Sequence, residues 1–226
     1  MVAMNALKRT FWLKDGNNIG TGFVIDVDDK QYLVTAAHVC SQAVKSGHLE
    51  IWHQNVWKNV PIRVAVYGDP NSDDQDVAAL VLHKRIIAKD SPIVADGKGV
   101  YLGQTVYFLG FPYGLSSAIE QKDGYPLPLI KAAVLSGNAR GNKEYFLLDG
   151  MNNKGFSGGP VVFAHDNNMN DFRIMGVVRG YRSEELSISA GGQPTPLAAL
   201  ANSGIMICAT IETVVDMIRT NPIGII

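Results

Sequence analysis

Short apolar segments separated by turn residues recur along the whole 226-residue chain. They are rich in valine, isoleucine, phenylalanine and tyrosine, the residue types that favour strands. Polar and glycine-containing pairs such as Asp28-Asp29 and Gly137-Asn138 interrupt them, and these residues are typical of turns. The pattern predicts an all-β sandwich or barrel rather than alternating strands and helices. The predicted strands are residues 22–27, 31–35, 62–67, 77–82, 105–109, 145–148, 160–163, 174–178 and 205–209.

One segment near the carboxyl end has helical periodicity. Apolar residues lie at helical spacing over residues 211–218, Thr210 precedes them as an N-cap, and Pro222 prevents continuation. Residues 187–203, rich in glycine, alanine, serine and proline, predict a long surface loop. A polar connector over residues 90–103 divides the chain, so we expect a first β-unit at 1–94, a connector at 95–104, and a second unit with the helix at 105–226.

The net charge and the lengths of the apolar runs argue against two classes of partner, nucleic acids and membranes. The formal net charge is −1 and no basic stripe is present, so nucleic acid is not an expected partner. No apolar run approaches the ~20 residues of a membrane span, so a membrane is not expected either. Residues 1–10 lack the pattern of a signal peptide, and two cysteines do not make a disulfide framework. We expect a cytoplasmic protein without cofactor or metal; a removed signal peptide is the alternative.

A glycine-rich loop at residues 155–160 (GFSGGP) contains a single serine, Ser157. Glycine permits backbone angles that let such a loop bend sharply and present its N–H groups outward. Two N–H groups aimed at one point stabilise the oxyanion of an acyl-transfer transition state. Ser157 is therefore a candidate nucleophile, which needs a base and an orienting acid. From the loop alone, the alternative is a turn whose serine faces water.

The chain supplies a candidate base and a candidate acid before the serine. Among five histidines, His38 follows a strand that ends in small residues, which leave space around an imidazole. Asp76 opens an apolar strand, so we expect a partly buried carboxylate hydrogen-bonded to an imidazole N–H. Its neighbours Asp73 and Asp74 are predicted to lie in a solvated turn. Taken together, the order of histidine, aspartate and serine favours a hydrolytic triad.

Four blocks resemble the signature blocks of the chymotrypsin-like (trypsin-like) serine proteases: residues 20–25 (GTGFVI), 35–38 (TAAH), 76–78 (DVA) and 155–160 (GFSGGP). Residues 110–114 (GFPYG) and 204–209 (GIMICA) are similar to the bacterial Deg-type branch, which is closer than the digestive enzymes. The resemblance extends over about residues 20–219. It implies two antiparallel six-stranded β-barrels with the active site between them, a C-terminal helix, and a serine endopeptidase that acts on a peptide or protein substrate.

The resemblance also implies a role for each site residue. His38 takes the proton of Ser157 Oγ and returns it to the leaving amine, and Asp76 holds the tautomer of His38 and stabilises the imidazolium. The N–H groups of Gly155 and Ser157 form the oxyanion hole, and the reaction proceeds through an acyl-enzyme.

The chain departs from the digestive members in three ways. Phe156 stands where they have an aspartate that binds a newly cut N-terminus, so we expect no zymogen switch, and a loop ordered by packing, substrate or an activating protein partner. Cys40 and Cys208 lie in different barrels and are predicted to be free thiols. No PDZ-like extension follows the helix, so a module of that kind is expected outside this chain or absent.

The resemblance places a specificity pocket near Met151 and Asn152, with Lys154 at its rim. Because no acidic residue lies at its floor, we expect a small or medium apolar residue before the scissile bond rather than lysine or arginine.

The strand at residues 176–181, which contains Arg179, Gly180 and Tyr181, is expected to pair with the substrate backbone. Arg179 and Arg182 are predicted to point to solvent; the alternative is that one of them reaches the pocket and favours an acidic residue.

The serine loop is open to two other interpretations. It also fits the nucleophile elbow of α/β-hydrolases, but that fold needs an acid and then a histidine after the serine. His165 is the only histidine there, and no strand–helix alternation surrounds it. The second interpretation is a peptide-binding protein with a protease fold that is catalytically silent or gated by a partner.

Overall fold

A computed structural model describes residues 2, 4–89, 92–119, 123–141 and 143–226, with residue 194 described by its backbone only. The helices are α1 (Met4–Lys8), α2 (Ala43–Ser46) and α3 (Ile211–Thr220). The strands are β1 (Thr10–Asp15), β2 (Asn18–Val27), β3 (Lys30–Thr35), β4 (His48–His53), β5 (Val56–Tyr67), β6 (Ala78–Leu82), β7 (Val94–Ala95), β8 (Thr105–Gly110), β9 (Leu129–Arg140), β10 (Glu144–Asp149), β11 (Pro160–Ala164), β12 (Phe172–Ala190) and β13 (Gln193–Thr210). In this part of the chain, no helix has the length and apolar character needed to cross a membrane.

The first six strands form a closed barrel in the order β1-β2-β3-β6-β5-β4. Every neighbouring pair is antiparallel. The strands β3 and β6 are buried along almost their whole length, because their runs of valine, leucine and alanine face the barrel interior on one side and other packed elements on the other. In the described part of the first unit, the closed barrel leaves no unpaired strand edge.

The other seven strands form a second sheet in the order β11-β8-β9-β10-β13-β12-β7. An additional pairing between β11 and β12 joins six of these strands into an antiparallel ring, and β7 adds to β12 in parallel. The all-β class with a C-terminal helix is therefore confirmed, with a short parallel strand beyond the predicted six. That strand lies at the junction of the predicted first unit and connector; Asp90, where the polar stretch begins, lies outside the described residues.

The two β-units share one apolar core. It combines Phe23 of β2 with Leu109 of β8 and Val177 of β12, and α3 closes it with Val214 and Ile218. The helix begins as predicted, because the Thr210 hydroxyl accepts a hydrogen bond from the Thr213 N–H at 3.3 Å. The helix and both units therefore bury side chains together.

The prediction of a surface loop at residues 187–203 was wrong. The strands β12 and β13 continue through this region as a long hairpin that turns at Gly191 and Gly192, both with positive φ. Most of its described side chains are exposed and the others are half-buried, so the segment does lie at the surface. Alanine, serine and proline have weak strand propensity, but the ladder that starts in the buried part of the two strands extends outward by backbone pairing alone.

Candidate active site

His38 lies in a single 3₁₀ turn, Ala37–Val39, directly after β3. Its Nδ1 lies 2.5 Å from Asp76 Oδ2, and its backbone N–H donates to Asp76 Oδ1 at 2.9 Å. Asp76 is fully buried, whereas 40% of the His38 side chain is exposed. The two bonds to one carboxylate fix the imidazole ring so that Nε2 is directed away from Asp76. The predicted imidazole partner of Asp76 is thus present, and the carboxylate is fully rather than partly buried.

The serine loop has a backbone that only glycine adopts at two positions. Gly155 has φ of +107° and Gly158 has φ of +82°. A Cβ on Gly155 would lie 2.4 Å from Phe111 O, and one on Gly158 would lie 2.2 Å from Thr21 O. Neither contact is tolerable, so the glycines allow the loop to pack directly against backbone from both β-units.

Thr21 of β2 connects the first unit to this loop. Its N–H donates to Ser157 O at 2.9 Å, and its hydroxyl donates to Gly155 O at 2.7 Å. The serine is therefore positioned by β2, which pairs with the strand that leads into the histidine turn.

Ser157 and Asp76 are linked through Arg179. The Ser157 hydroxyl donates to Arg179 O at 3.3 Å, and Arg179 Nε lies 3.7 Å from Asp76 Oδ2. Within the described chain, no hydrogen bond joins Ser157 Oγ to His38 Nε2. The geometry therefore gathers the three predicted residues in one cleft, with the serine hydroxyl turned to a carbonyl of β12.

Two backbone N–H groups of the serine loop are available for an anion. The Lys154 carbonyl accepts from the Tyr113 N–H at 2.9 Å, so the trans peptide directs the Gly155 N–H to the opposite side. Among the described residues, neither the Gly155 N–H nor the Ser157 N–H has a protein acceptor. Unpaired N–H groups on one loop are the donors that an oxyanion site needs.

Phe156 anchors the loop from inside the second unit. The side chain is fully buried, and its ring lies edge-to-face against Phe108 with centroids 4.8 Å apart. The loop is thus ordered by apolar packing at the position where the sequence has no aspartate.

The predicted pocket residues lie in different environments. Asn152 is buried, and its Oδ1 has no hydrogen-bond partner in the described chain. Met151 and Lys154 are exposed. Between them, the Asn152 carbonyl accepts from Asn202 of β13 at 2.6 Å, which ties this segment to the hairpin.

The outer edge of β12 becomes unpaired beside the serine. Val178 makes the last two bonds to the serine loop, through Gly158 N–H at 2.7 Å and Gly159 O at 2.9 Å. Among the described residues, Gly180 and Tyr181 pair with β13 on one side only. An extended peptide has room to add to this free edge.

The prediction that Arg179 and Arg182 point to solvent was wrong for Arg179, whereas Arg182 is half exposed and also has a carboxylate partner. Arg179 donates to Ser72 O at 3.3 Å, and its Nε lies 3.7 Å from Asp73 Oδ1. Arg182 pairs with the other oxygen of Asp73. Both arginines therefore reach across the cleft to the first unit.

The prediction that Asp73 and Asp74 lie in a solvated turn was also wrong, because both residues contact the second unit. The Asp73 side chain is only 22% exposed, and Asp74 is buried and accepts a hydrogen bond from the Lys143 N–H of the second unit. The second unit covers this loop, and no local sequence pattern signals a contact between residues so far apart in the chain.

The two cysteines are buried free thiols, as predicted. Burial raises the pKa of Cys40 to about 12, and burial also raises the pKa of Cys208. In the described part of the chain, no group of three or more histidine, cysteine, aspartate or glutamate side chains is arranged to hold a metal ion.

Comparison with known proteins gave a family and a set of similar folds. The family model described as a trypsin-like peptidase domain matches residues 20–169, more than half of the chain. No curated protein sequence matches.

Among solved structures, the Rv3671c protease in its inactive form is similar with a TM-score of 0.61 and 18% identity, covering 96% of this chain and 90% of that one. The active form of the Rv3671c protease from M. tuberculosis has a TM-score of 0.60 and 20% identity, covering 96% and 82%. The HtrA-type protease AlgW with tripeptide has a TM-score of 0.60 and 16% identity, covering 96% and 62%. At these identities the similarity is one of fold.

Proposed function

The chain belongs to the trypsin-like peptidase domain family, a family of serine protease hydrolases, and we propose that it is an endopeptidase whose catalytic residues are Ser157, His38 and Asp76. The observation that carries this assignment is the His38–Asp76 pair at 2.5 Å, in the same cleft as a serine on a loop with unpaired N–H groups. The pair holds the imidazole in the tautomer that a general base needs.

The proposed reaction begins when Ser157 Oγ attacks the scissile carbonyl carbon. His38 Nε2 takes the hydroxyl proton, while Asp76 keeps the proton on Nδ1 and stabilises the imidazolium. His38 then protonates the leaving amine, and an acyl-enzyme remains on Ser157. Water attacks the acyl group by the same steps and regenerates the serine.

The Gly155 and Ser157 N–H groups are proposed to bind the oxyanion of each tetrahedral intermediate. Loss of one donor of this kind costs ~2.7–4 kcal/mol of transition-state stabilisation. Both donors are backbone groups, so their position depends on the contacts that hold the loop rather than on a side chain of their own.

The free edge of β12 at Arg179, Gly180 and Tyr181 is proposed to bind the substrate backbone. Met151, Asn152 and Lys154 are proposed to surround the side chain before the scissile bond. Substrate binding at this edge brings a backbone N–H to the Arg179 carbonyl, where it competes with the Ser157 hydroxyl.

A second function is a peptide-binding protein without turnover, or one activated by a protein partner. One observation favours it: the Ser157 hydroxyl donates to Arg179 O and not to His38. In the endopeptidase, rotation about the serine χ1 redirects the hydroxyl to Nε2, which is a change between ordinary staggered rotamers.

A fluorophosphonate probe and a denatured protein substrate test the assignment. We expect the probe to label Ser157, and Ser157→Ala to lower kcat about a million-fold because the nucleophile is lost. Asp76→Asn is expected to lower kcat about ten-thousand-fold because the tautomer is wrong. Ser136→Ala, which changes an exposed serine of β9, is the matched control and should be fully active.

The outcomes separate the two functions. Labelling of Ser157 only after a peptide or partner is added identifies a gated enzyme. Absence of labelling under every condition, together with peptide binding, contradicts the endopeptidase and supports the binding function. Cleavage that survives Ser157→Ala shows that the nucleophile is assigned wrongly.

A further inference from the structure

Two arginines of β12 are turned to the same side of the cleft by irregularities in the strand. Arg179 is the extra residue of a β-bulge, because the residues on either side of it pair with consecutive residues of β13. Arg182 lies at the next register shift of the same two strands. In a regular strand, residues three apart face opposite ways. Bulges beside active sites re-aim side chains, and here both guanidinium groups meet Asp73.

Among the described residues, the two guanidinium groups of this cluster keep N–H donors that no protein acceptor occupies. Asp73 is shared by both arginines, and Asp76, which also faces Arg179, is bound to His38. Arg179 uses its Nε, and Arg182 uses one terminal nitrogen. A guanidinium has five N–H donors. In the described residues, no other protein acceptor lies within hydrogen-bond distance of the remaining donors, and half of the Arg182 side chain is exposed.

The direction of a bound peptide places Arg182 next to a definite part of it. Because the Arg179 carbonyl contacts Ser157 Oγ, the substrate residue before the scissile bond lies beside Arg179. An antiparallel substrate strand places earlier substrate residues beside later residues of β12. Arg182 therefore lies beside the third or fourth residue before the scissile bond.

We propose that Arg182, with Asp73 as its counterion in the free protein, selects substrates that carry an acidic side chain at the third or fourth residue before the scissile bond. This specificity rests on the proposed endopeptidase function. A carboxylate fits the remaining guanidinium donors in a two-point arrangement, whereas a basic side chain meets two cations beside carboxylates that are already hydrogen-bonded.

Asp73 competes with the substrate carboxylate for the guanidinium group of Arg182. In the free protein it holds Arg182 against the first unit, and binding of an acidic substrate exchanges one carboxylate for another. Substitution of Arg182 and substitution of Asp73 should therefore change the specificity in opposite directions.

Matched peptides test the proposal. A proteome-derived peptide library first gives one efficiently cut sequence, and pairs with Glu or Gln at the third and at the fourth position are then compared. We expect kcat/KM to be about tenfold higher for the better-placed Glu peptide, the usual size for a hydrogen bond between charged groups. The ratio should fall at high salt because the pair is partly exposed.

Three variants decide the role of the residues. Arg182→Gln should bring the Glu/Gln ratio near one, and Asp73→Asn should raise it above that of the wild type. Arg140→Gln, which changes an exposed arginine of β9 paired with Glu144, is the control and should keep the wild-type ratio. A wild-type ratio near one, or a preference that survives Arg182→Gln, overturns the proposal.

A binding measurement separates this proposal from the catalytic assignment. The Kd of each Glu and Gln peptide for Ser157→Ala is measured by fluorescence anisotropy, which needs no turnover. A several-fold preference for the Glu peptide supports the acidic specificity even if the wild type cuts nothing and the endopeptidase proposal fails. Equal Kd values for the two peptides overturn the specificity, whether or not the wild type is active.

Discussion

At the scale of single residues, the serine loop depends on Gly158. Its φ is +82°, and a Cβ at this position would lie 2.2 Å from both Thr21 O and Thr35 Oγ1, so there is no room for a side chain. We expect Gly158→Ala to lower the free energy of unfolding by about 2–4 kcal/mol, from backbone strain and overpacking together. Chemical denaturation measures the change.

Gly137 is the matched control for this substitution. It lies in β9 without positive φ, and a Cβ there would meet nothing within 4 Å. Gly137→Ala should leave the free energy of unfolding unchanged or raise it slightly, because alanine restricts the unfolded chain. Equal effects of the two substitutions would show that the loop can relax around a side chain.

The two thiols give a second prediction at this scale. With the pKa of Cys40 raised to about 12, only about one thiol in ten thousand is ionised at about pH 8. Cys208 is buried as well, and its pKa is also raised. We expect Ellman's reagent to find no reactive thiol in the folded protein and both thiols after unfolding in guanidinium chloride. Rapid reaction of the folded protein would contradict the burial of these side chains.

The residues of the proposed triad could be predicted because each stands in a local context. Ser157 lies among glycines, and Asp76 opens a buried strand, so the local sequence marks both positions. Arg179 and Asp73 could not be predicted in the same way. Their contact depends on a β-bulge in β12 and on a loop of the first unit that meets this strand across the cleft, and neither leaves a periodic pattern in the sequence.

At the scale of elements, the outer half of the β12–β13 hairpin lacks the packing of the inner half. Residues 181–191 are all exposed, whereas the residues of β12 from Ile174 to Val178 are buried. A two-stranded ribbon without a packed face is marginally stable. We expect amides of the outer half to exchange by local opening, and those of the inner half only by global unfolding.

Hydrogen exchange followed by mass spectrometry checks this difference within single strands. Peptides from the inner half of β12 serve as the internal control for peptides from its outer half. Equal protection along the whole strand would contradict the prediction, because it requires a packed face that the outer half lacks.

The amino end of α3 gives a pH-dependent prediction. The Glu212 carboxylate accepts the Gly97 N–H at 2.6 Å, and burial raises its pKa above the ordinary value of 4.5, with Asp96 adding to the effect. A raised pKa means that the folded protein holds this proton more tightly than the unfolded chain does. The stabilisation is therefore present below pH 4.5 and is lost as pH rises through the folded-state pKa.

Glu212→Gln removes this titration. We expect the free energy of unfolding of the wild type, relative to that of Glu212→Gln, to fall as the pH rises from about 4 to about 7. Denaturation of both proteins over this range gives the difference directly. If the free energy of unfolding of the wild type, relative to that of Glu212→Gln, rose with pH, the pKa of Glu212 would be lowered in the folded protein.

The elements themselves were predictable where apolar content and turn chemistry agree. The strands β3, β6 and β11 are rich in apolar residues and lie within one residue of their predicted bounds, and β2 begins four residues before its predicted start. The strand β9 was missed because its polar and apolar residues do not alternate: Ile130 and Val134 are exposed, whereas Lys131 is half-buried. The hairpin was missed because its strand structure comes from a ladder that begins elsewhere.

At the scale of the whole molecule, Thr21 is the point where the first unit holds the serine loop of the second. The side chain is fully buried. Its hydroxyl donates to Gly155 O at 2.7 Å and accepts the Phe111 N–H at 3.1 Å, and its own N–H holds Ser157 O. One residue of the first unit therefore satisfies backbone groups on both segments that border the proposed oxyanion site.

Thr21→Val keeps the shape of this side chain and removes its hydroxyl. Two backbone groups of the second unit then lose their partner, at about 1–3 kcal/mol for each buried group. Because the hydrogen bond to its carbonyl anchors Gly155, we expect its loss to displace the Gly155 N–H and to lower kcat about 10- to 100-fold while the protein stays folded, the cost of a small displacement in a preorganised site. Thr21→Ser keeps the hydroxyl and should retain kcat within a few-fold. A Thr21→Val protein with the kcat of the wild type, measured beside its melting temperature, would show that the first unit stabilises the loop without positioning the oxyanion donors.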